Sequence, residues 1–174
     1  MTFAELKAHI HNSLQSLYPK SEINSFYFIL LEHYGNYTTA EVLANVSTQL
    51  TDNITKAIQQ AITELQTAKP IQYILGETEF FSNRFFVNEN VLIPRPETEE
   101  LVDWVLQEYP DKSQKIKILD VGTGSGCIAI SLAKALPNAI VTAIDVSEGA
   151  LKVAKRNAEL NSVVTYFLQQ DILL

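Results

Sequence analysis

A chain of 174 residues allows one or two domains, and 47% hydrophobic against 19% charged side chains is ordinary for a protein that packs a core. The net charge of −7 is uneven: residues 1–75 carry 4 basic and 6 acidic side chains, 76–115 carry 4 and 9, and 116–174 carry 5 and 5. No segment has the basic excess of a phosphate-backbone footprint, the single cysteine excludes an internal disulfide, and no apolar run approaches a membrane span or signal-peptide core. A small molecule or a protein is therefore favoured over nucleic acid as direct partner, in a reducing cytoplasm.

Thr2 with Glu5 has the spacing of a capping box, and Phe3, Leu6, Ile10, Leu14 and Leu17 recur at helical intervals, predicting a helix that breaks near Pro19. Ser21 is expected to open a second helix through Ile23, Phe26, Tyr27, Leu30 and Leu31, closed by Gly35. Thr38 and Glu41 repeat the capping-box spacing before a short helix ending near Asn45. Ile54, Ile58, Ala61, Ile62 and Leu65 mark a fourth helix, stopped by Pro70. Residues 1–75 thus predict a helical bundle with no constellation of catalytic type, suited to recognition. His9, His11 and His33 fall on it without Cys or Asp at metal-ligand spacing, so no metal is expected.

The character of the chain changes at Gly76. Thr78-Glu-Phe-Phe81 and Phe85-Phe-Val87 flank Ser82-Asn83-Arg84, the pattern of a hairpin, and residues 76–93 are expected to form a linker. Phe80, Phe81, Phe85 and Phe86 are expected to plug the space between two domains. Pro94 and Pro96 hold the next segment extended, and Pro96 then suits the first turn of a helix carrying Leu101, Val102, Val105 and Leu106. Glu97, Glu99 and Glu100 favour that helix's N-terminus. Arg95 either contacts substrate or cofactor, or ties the linker to the sheet through a carboxylate.

From Ile116 an apolar run ends at Asp120, and Gly122, Gly124 and Gly126 follow at alternate positions. Ile128, Ala129, Ile130, Leu132, Ala133 and Leu136 then recur at helical intervals. This predicts strand, tight turn and helix, with bare backbone and unpaired amides that cradle an anionic group of a nucleotide-like ligand. Cys127 stands where the dinucleotide fingerprint requires its third glycine. Asp120 would also face a pyrophosphate; at roughly 4 Å and an effective dielectric near 20, each like-charge pair costs about 4 kcal/mol. S-adenosylmethionine reverses that sign, because its ammonium and sulfonium are cationic and its one carboxylate still suits the amides. Asp145 ends the next apolar run, about 20 residues past the turn, where a strand tip can present a carboxylate to two ribose hydroxyls.

Ser147 can cap a helix through Ala150, Leu151, Ala154 and Ala158 to Asn161, and Val163 to Leu168 is expected to form a third strand, followed by Asp171. Alternation of strands and helices of this length implies parallel pairing with right-handed crossovers. A strand as apolar as 116–121 expects neighbours on both sides, so the sequence is expected to be a fragment of a longer one or to have one edge covered by another chain.

Four motifs together resemble the release factor glutamine N5-methyltransferases, the HemK-type class I methyltransferases. They are Gly76-Glu77 with its aromatics, Ile93-Pro-Arg-Pro-Glu-Thr-Glu99, Ile118-Leu-Asp-Val-Gly-Thr-Gly-Ser-Gly126 and Ala143-Ile-Asp-Val146. The second is the specific one; glycine motifs like the third occur in many methyltransferases. The resemblance implies an N-terminal bundle (1–75) that helps dock the release factor, a hairpin linker (76–93), and the first half of a Rossmann-like, doubly wound α/β methyltransferase sheet (94–174). It implies methylation of the side-chain amide of the glutamine in the Gly-Gly-Gln motif of release factors, with S-adenosylmethionine as cofactor. Gly122, Thr123, Gly124, Ser125 and Gly126 would line the cofactor, Asp145 would take the ribose, and Asp171 with Ile172 would lie beside the adenine. Arg95, Glu97 and Thr98 would belong to substrate contact or to the linker. The family's Asn-Pro-Pro-Tyr motif, which holds the substrate amide, does not occur in the 174 residues. Catalytic residues are expected beyond Leu174, and this chain by itself should not turn over.

Two other functions compete. An adenine N6 methyltransferase acting on nucleic acid shares the exocyclic-nitrogen chemistry, but requires a positive groove that the charge count does not supply. A non-catalytic module would dock a protein through residues 1–75 alone. Cys127, just inside a helix N-terminus with no histidine near it in sequence, is expected to be a packing residue rather than a nucleophile.

Overall fold

In the computed structural model, which describes residues 1–173, Thr2 opens the first helix by a reciprocal cap. Its hydroxyl accepts from the Glu5 amide at 3.2 Å, and its own amide donates to the Glu5 carboxylate at 2.8 Å. Thr38 and Glu41 repeat this arrangement. Between them these caps satisfy amides that a helix start leaves orphaned. The chain divides into two compact units between Leu75 and Gly76.

The first unit contains α1 (Phe3–Leu14), α2 (Lys20–Gly35), α3 (Thr39–Ala44), α4 (Asp52–Leu65) and α5 (Ile71–Leu75). Its core is the apolar stripe of each long helix: Phe3, Leu6, Ile10 and Leu14; Ile23, Phe26, Leu30 and Leu31; Ile58, Ile62 and Leu65. Burial of each such side chain contributes roughly 1.5–3 kcal/mol. Four details depart from the sequence-based expectation. Leu17 is exposed, because α1 ends three residues before it. Pro19, not Ser21, is the N-cap of α2. The left-handed residue that closes α2 is Asn36 (φ 53°) rather than Gly35, whose missing Cβ instead makes room for the Tyr37 ring. Pro70 starts a helix instead of stopping one: α4 has already ended at Leu65, and the Pro70 carbonyl accepts from Tyr73 and Ile74 at the head of α5.

The second unit begins with an antiparallel hairpin, β1 (Glu77–Phe80) and β2 (Asn83–Phe86). Its turn is Phe81-Ser82, at φ 49° and 56°, the doubly left-handed geometry that matches strand twist, and not the expected Ser82-Asn83-Arg84. There follow α6 (Glu97–Glu108), β3 (Lys117–Val121), α7 (Cys127–Ala135), β4 (Ile140–Asp145), α8 (Glu148–Leu160) and β5 (Tyr166–Gln169). The sheet is parallel in the order β3-β4-β5, with a helix between successive strands as in α/β folds. β5 starts three residues later than expected, after an exposed Val164.

Sequential strand order places right-handed crossovers on one face of a sheet. Ile118, Val141, Ala143 and Phe167 accordingly pack with Ala129 and Ala133 of α7. Of the alternate residues on the opposite face, Leu119, Ile140, Tyr166 and Leu168 are exposed, whereas Ile144 is buried. Among the described residues the expected double winding therefore has helices on one face alone. Phe80 and Phe85 are buried with Val102, Cys127, Ile130 and Leu132, so they belong to this unit's own core and are not the expected plug between domains. On α6 only Val102 is buried outright and Leu101 is exposed. No helix among the described residues is long and apolar enough to cross a membrane.

Candidate functional site

Parallel α/β sheets bind ligands outside the carboxyl ends of their strands, where loops meet helix N-termini. Here that edge carries Asp120 and the glycine turn after β3, Asp145 at the tip of β4, and Asp171 past β5. Gly122, Gly124 and Gly126 all have positive φ (75°, 56° and 81°). Their uses differ. A Cβ on Gly122 or Gly124 would meet nothing within 4 Å, so both leave backbone open to a ligand, whereas one on Gly126 would lie 2.8 Å from Ile130 Cδ1 and 3.2 Å from Ala154 Cβ. Gly126 thus serves the close packing of α7 on α8 as well as the left-handed N-cap of α7.

The turn's amides do not stand open as the sequence suggests. Gly122 and Thr123 donate to the Ile144 carbonyl at 2.9 and 3.0 Å, Gly126 donates to the Thr123 carbonyl at 2.8 Å, and Gly124 donates to Asp145 Oδ2 at 2.9 Å. The anion that the Gly124 amide receives is the protein's own Asp145. Its other oxygen accepts from the Ser147 amide at 2.9 Å, so the carboxylate is locked between the glycine turn and the start of α8. A carboxylate has about four acceptor sites, and two are used here, which leaves capacity for ribose hydroxyls.

Asp120 accepts from the Thr123 hydroxyl at 2.7 Å. Burial pushes its carboxyl above the usual range, and the charge of Asp145 adds to the effect, while the Thr123 hydroxyl and the Ala129 amide oppose it. Among the described residues no cation pairs with Asp120 or Asp145. The edge therefore presents two uncompensated carboxylates beside bare backbone, an arrangement that attracts a cation and repels a diphosphate. Burial pushes the Cys127 thiol up to about 11, which keeps it protonated near neutral pH.

Asp171 and Ile172 lie at the same edge, where the Gln170 amide donates to the Asp145 carbonyl at 3.1 Å. The Asp171 carboxylate accepts from the Leu173 amide and Ile172 is exposed. Arg95 is exposed, and among the described residues its guanidinium meets no carboxylate; its carbonyl accepts from the Thr98 amide as α6 begins at Glu97.

Two tying residues are not evident from sequence. Asn157 of α8 is fully buried, and its Nδ2 donates to the carbonyls of Phe86 (3.0 Å) and Ser125 (2.9 Å) while its Oδ1 accepts from the Phe86 amide at 2.6 Å. One side chain thus fixes the glycine turn to the hairpin. The one detectable signal is an asparagine inside the apolar stripe Ala150, Ala154, Ala158. Glu99 Oε1 accepts from the Phe81 amide at 2.9 Å and pins the strained hairpin turn to α6.

Residues 101–174 match the family model Methyltransferase small domain, and residues 5–76 match PrmC N-terminal domain. A release factor glutamine methyltransferase of Flavobacterium psychrophilum is 46% identical over 99% of this chain and 61% of its own length. One from Bacteroides thetaiotaomicron is 42% identical over 96% of this chain and 59% of its own. The chain is similar to release factor glutamine methyltransferases along nearly its whole length. It spans about three fifths of the length of these two relatives, 61% and 59%. A Pyrococcus abyssi tRNA (uracil-54, C5)-methyltransferase in complex with S-adenosyl-L-homocysteine resembles part of the chain, at 26% identity and a TM-score of 0.43 over 53% of this chain and 22% of that one. The Ile93 to Glu99 segment carries Arg95, Glu97 and Thr98 at the entry to α6, in the same unit as the carboxylate edge.

Proposed function

We propose that the chain forms the substrate-docking bundle and the cofactor half of an enzyme that methylates the glutamine side-chain amide in the Gly-Gly-Gln motif of peptide chain release factors. The observation that carries this is the pair of carboxylates, Asp120 and Asp145, that meet no counter-cation among the described residues and stand beside the open backbone of Gly122 and Gly124. S-adenosylmethionine, when bound, would supply a methyl group bonded to a sulfonium sulfur, which leaves as a neutral thioether. Asp145, held by two amides, points its remaining acceptor sites at hydroxyls; Asp120 places negative charge where the cationic part of the ligand sits; Thr123 and Ser125 hold the turn's shape. Asp171 and Ile172 border the same edge, on the adenine side. Arg95, Glu97 and Thr98 lie on the approach of substrate.

A glutamine amide nitrogen is a poor nucleophile because its lone pair is delocalised, so its methylation rests on positioning and electrostatics. The 174 residues contain no Asn-Pro-Pro-Tyr, and the proposal gives them binding rather than amide activation. A cytoplasmic site of action accompanies that substrate, and no direct nucleic-acid contact is needed. Calorimetric titration of the chain is the test: saturable binding of S-adenosylmethionine is expected and none of NADH. With a release factor present, the 174-residue chain should leave the glutamine unmodified, while a homologous chain of the relatives' full length methylates it. Tight NADH binding with no heat from S-adenosylmethionine overturns the proposal.

A further inference from the structure

The bundle contains a feature that neither its core nor the carboxylate edge explains. An open cleft of about 370 Å3 runs between α1, α2 and α3, with Lys7, His11, Lys20 and Tyr27 on its walls and Leu43 and Val46 at its rim. Leu43 and Val46 are 61% and 55% exposed, yet they are not on a loose loop. The Val46 and Thr48 carbonyls accept from the first amides of α1, Ala4 at 3.0 Å and Phe3 at 3.1 Å, and Val42 beside them is buried. The rim is thus a rigid apolar ledge, held in place before any partner arrives, which lowers the ordering cost of binding.

The charge of the cleft is opposite to that of residues 1–75 taken together. Residues 1–75 hold 4 lysines and 6 acidic side chains, and 2 of those lysines but no acid line the cleft. The Lys7 ammonium stands over the Tyr27 ring, 5.6 Å from its centroid, which fixes one positive charge at the wall. Lys20 supplies a second at the start of α2. We infer that this cleft receives an acidic segment of the protein substrate, with carboxylates set against Lys7 and Lys20 and two apolar side chains laid over Leu43 and Val46. Electrostatic attraction of this kind acts on encounter and on specificity, while the apolar ledge contributes to the residence time of the complex.

The partner's identity as a release factor rests on the methyltransferase proposal, and the experiment separates the two. Release-factor binding to the whole chain is measured by biolayer interferometry at low and physiological salt, with S-adenosylmethionine binding measured calorimetrically in parallel. The variants are K7E/K20E, K7Q/K20Q and L43S, all at exposed positions, with folding checked by circular dichroism. Expected is a tenfold or greater rise in Kd for K7E/K20E, a smaller rise for K7Q/K20Q, and at least a fivefold rise for L43S, with cofactor affinity unchanged within twofold. Binding by K7E/K20E and L43S within twofold of the parent overturns the inference. A parent chain that binds S-adenosylmethionine but no release factor overturns the docking inference and leaves the cofactor assignment standing. A parent chain that binds release factor through the cleft but no S-adenosylmethionine does the reverse.

Discussion

Replacing Asn157 by leucine keeps the branched outline of a fully buried side chain, with methyl groups bulkier than the amide, while deleting the three hydrogen bonds it makes to Phe86 and Ser125. Each stranded backbone group costs about 1–3 kcal/mol when it is left unsatisfied away from water. Against that loss, the added apolar surface of leucine returns roughly 2 kcal/mol. Three such groups at about 2 kcal/mol each, less that return, leave an expected destabilisation of about 4 kcal/mol, in the upper range for a single substitution. Urea titration followed by far-ultraviolet circular dichroism reads the stability. Asn157→Asp should do no better than leucine, because it sets a carboxylate against two carbonyl oxygens. Affinity for S-adenosylmethionine should fall at least fivefold under conditions where the variant is folded, since the Ser125 carbonyl loses its anchor. A loss below about 1 kcal/mol with unchanged affinity would refute the view that Asn157 ties the glycine turn to the hairpin.

Gly126→Ala combines a left-handed φ of 81° with a Cβ 2.8 Å from Ile130 Cδ1, and should cost about 2–4 kcal/mol; Gly122→Ala, with open space around it, should cost only the strain of about 1–2 kcal/mol. Equal losses in urea melts of the two variants would contradict the distinct uses assigned to these glycines. Because the folded state holds the Asp120 proton more tightly than the unfolded chain does, stability conferred by that proton is lost as pH rises from the ordinary carboxylate range through the raised folded value. Asp120→Asn should therefore gain stability relative to the parent as pH rises across that window, while losing affinity for S-adenosylmethionine at neutral pH; parallel stability profiles for the two proteins would count against a buried, charged Asp120. With its thiol pushed up to about 11, Cys127 holds only about one thiolate in ten thousand molecules at pH 7, so iodoacetamide should label it at a measurable rate in urea and barely at all in the folded chain.

Features set by neighbours in sequence are legible from the residues alone. The two capping boxes need only residues three apart, and the run from Ile118 to Gly126 announces strand, turn and helix through the abrupt change from apolar to glycine. Asp120 and Asp145 stand out because a strand tip before a loop is where a carboxylate reaches solvent. What stays hidden depends on long separations. Asn157 meets Phe86 across 71 positions, and Glu99 meets Phe81 across 18, and no periodicity reports such meetings. The turn amides read as free for a ligand because sequence cannot show that Asp145 folds back 21 positions to receive Gly124. The hairpin turn falls one position from where its residues suggest for a related reason: a phenylalanine at φ 49° is a poor local choice, tolerated because Glu99 and the buried Phe80 and Phe85 hold the strands in register around it.

Net charge of −7 ordinarily keeps molecules of this size apart, but charge acts over the whole surface and contact acts locally. On the side of the sheet away from α7, the apolar side chains Leu119, Tyr166 and Leu168 are exposed, and β3, paired among the described residues only with β4, adds an open hydrogen-bonding margin. Concentrated solutions of the 174-residue polypeptide should accordingly bind apolar dyes and associate more readily as salt screens the repulsion. Handling this chain is a question of shielding one surface, not of adjusting its overall charge.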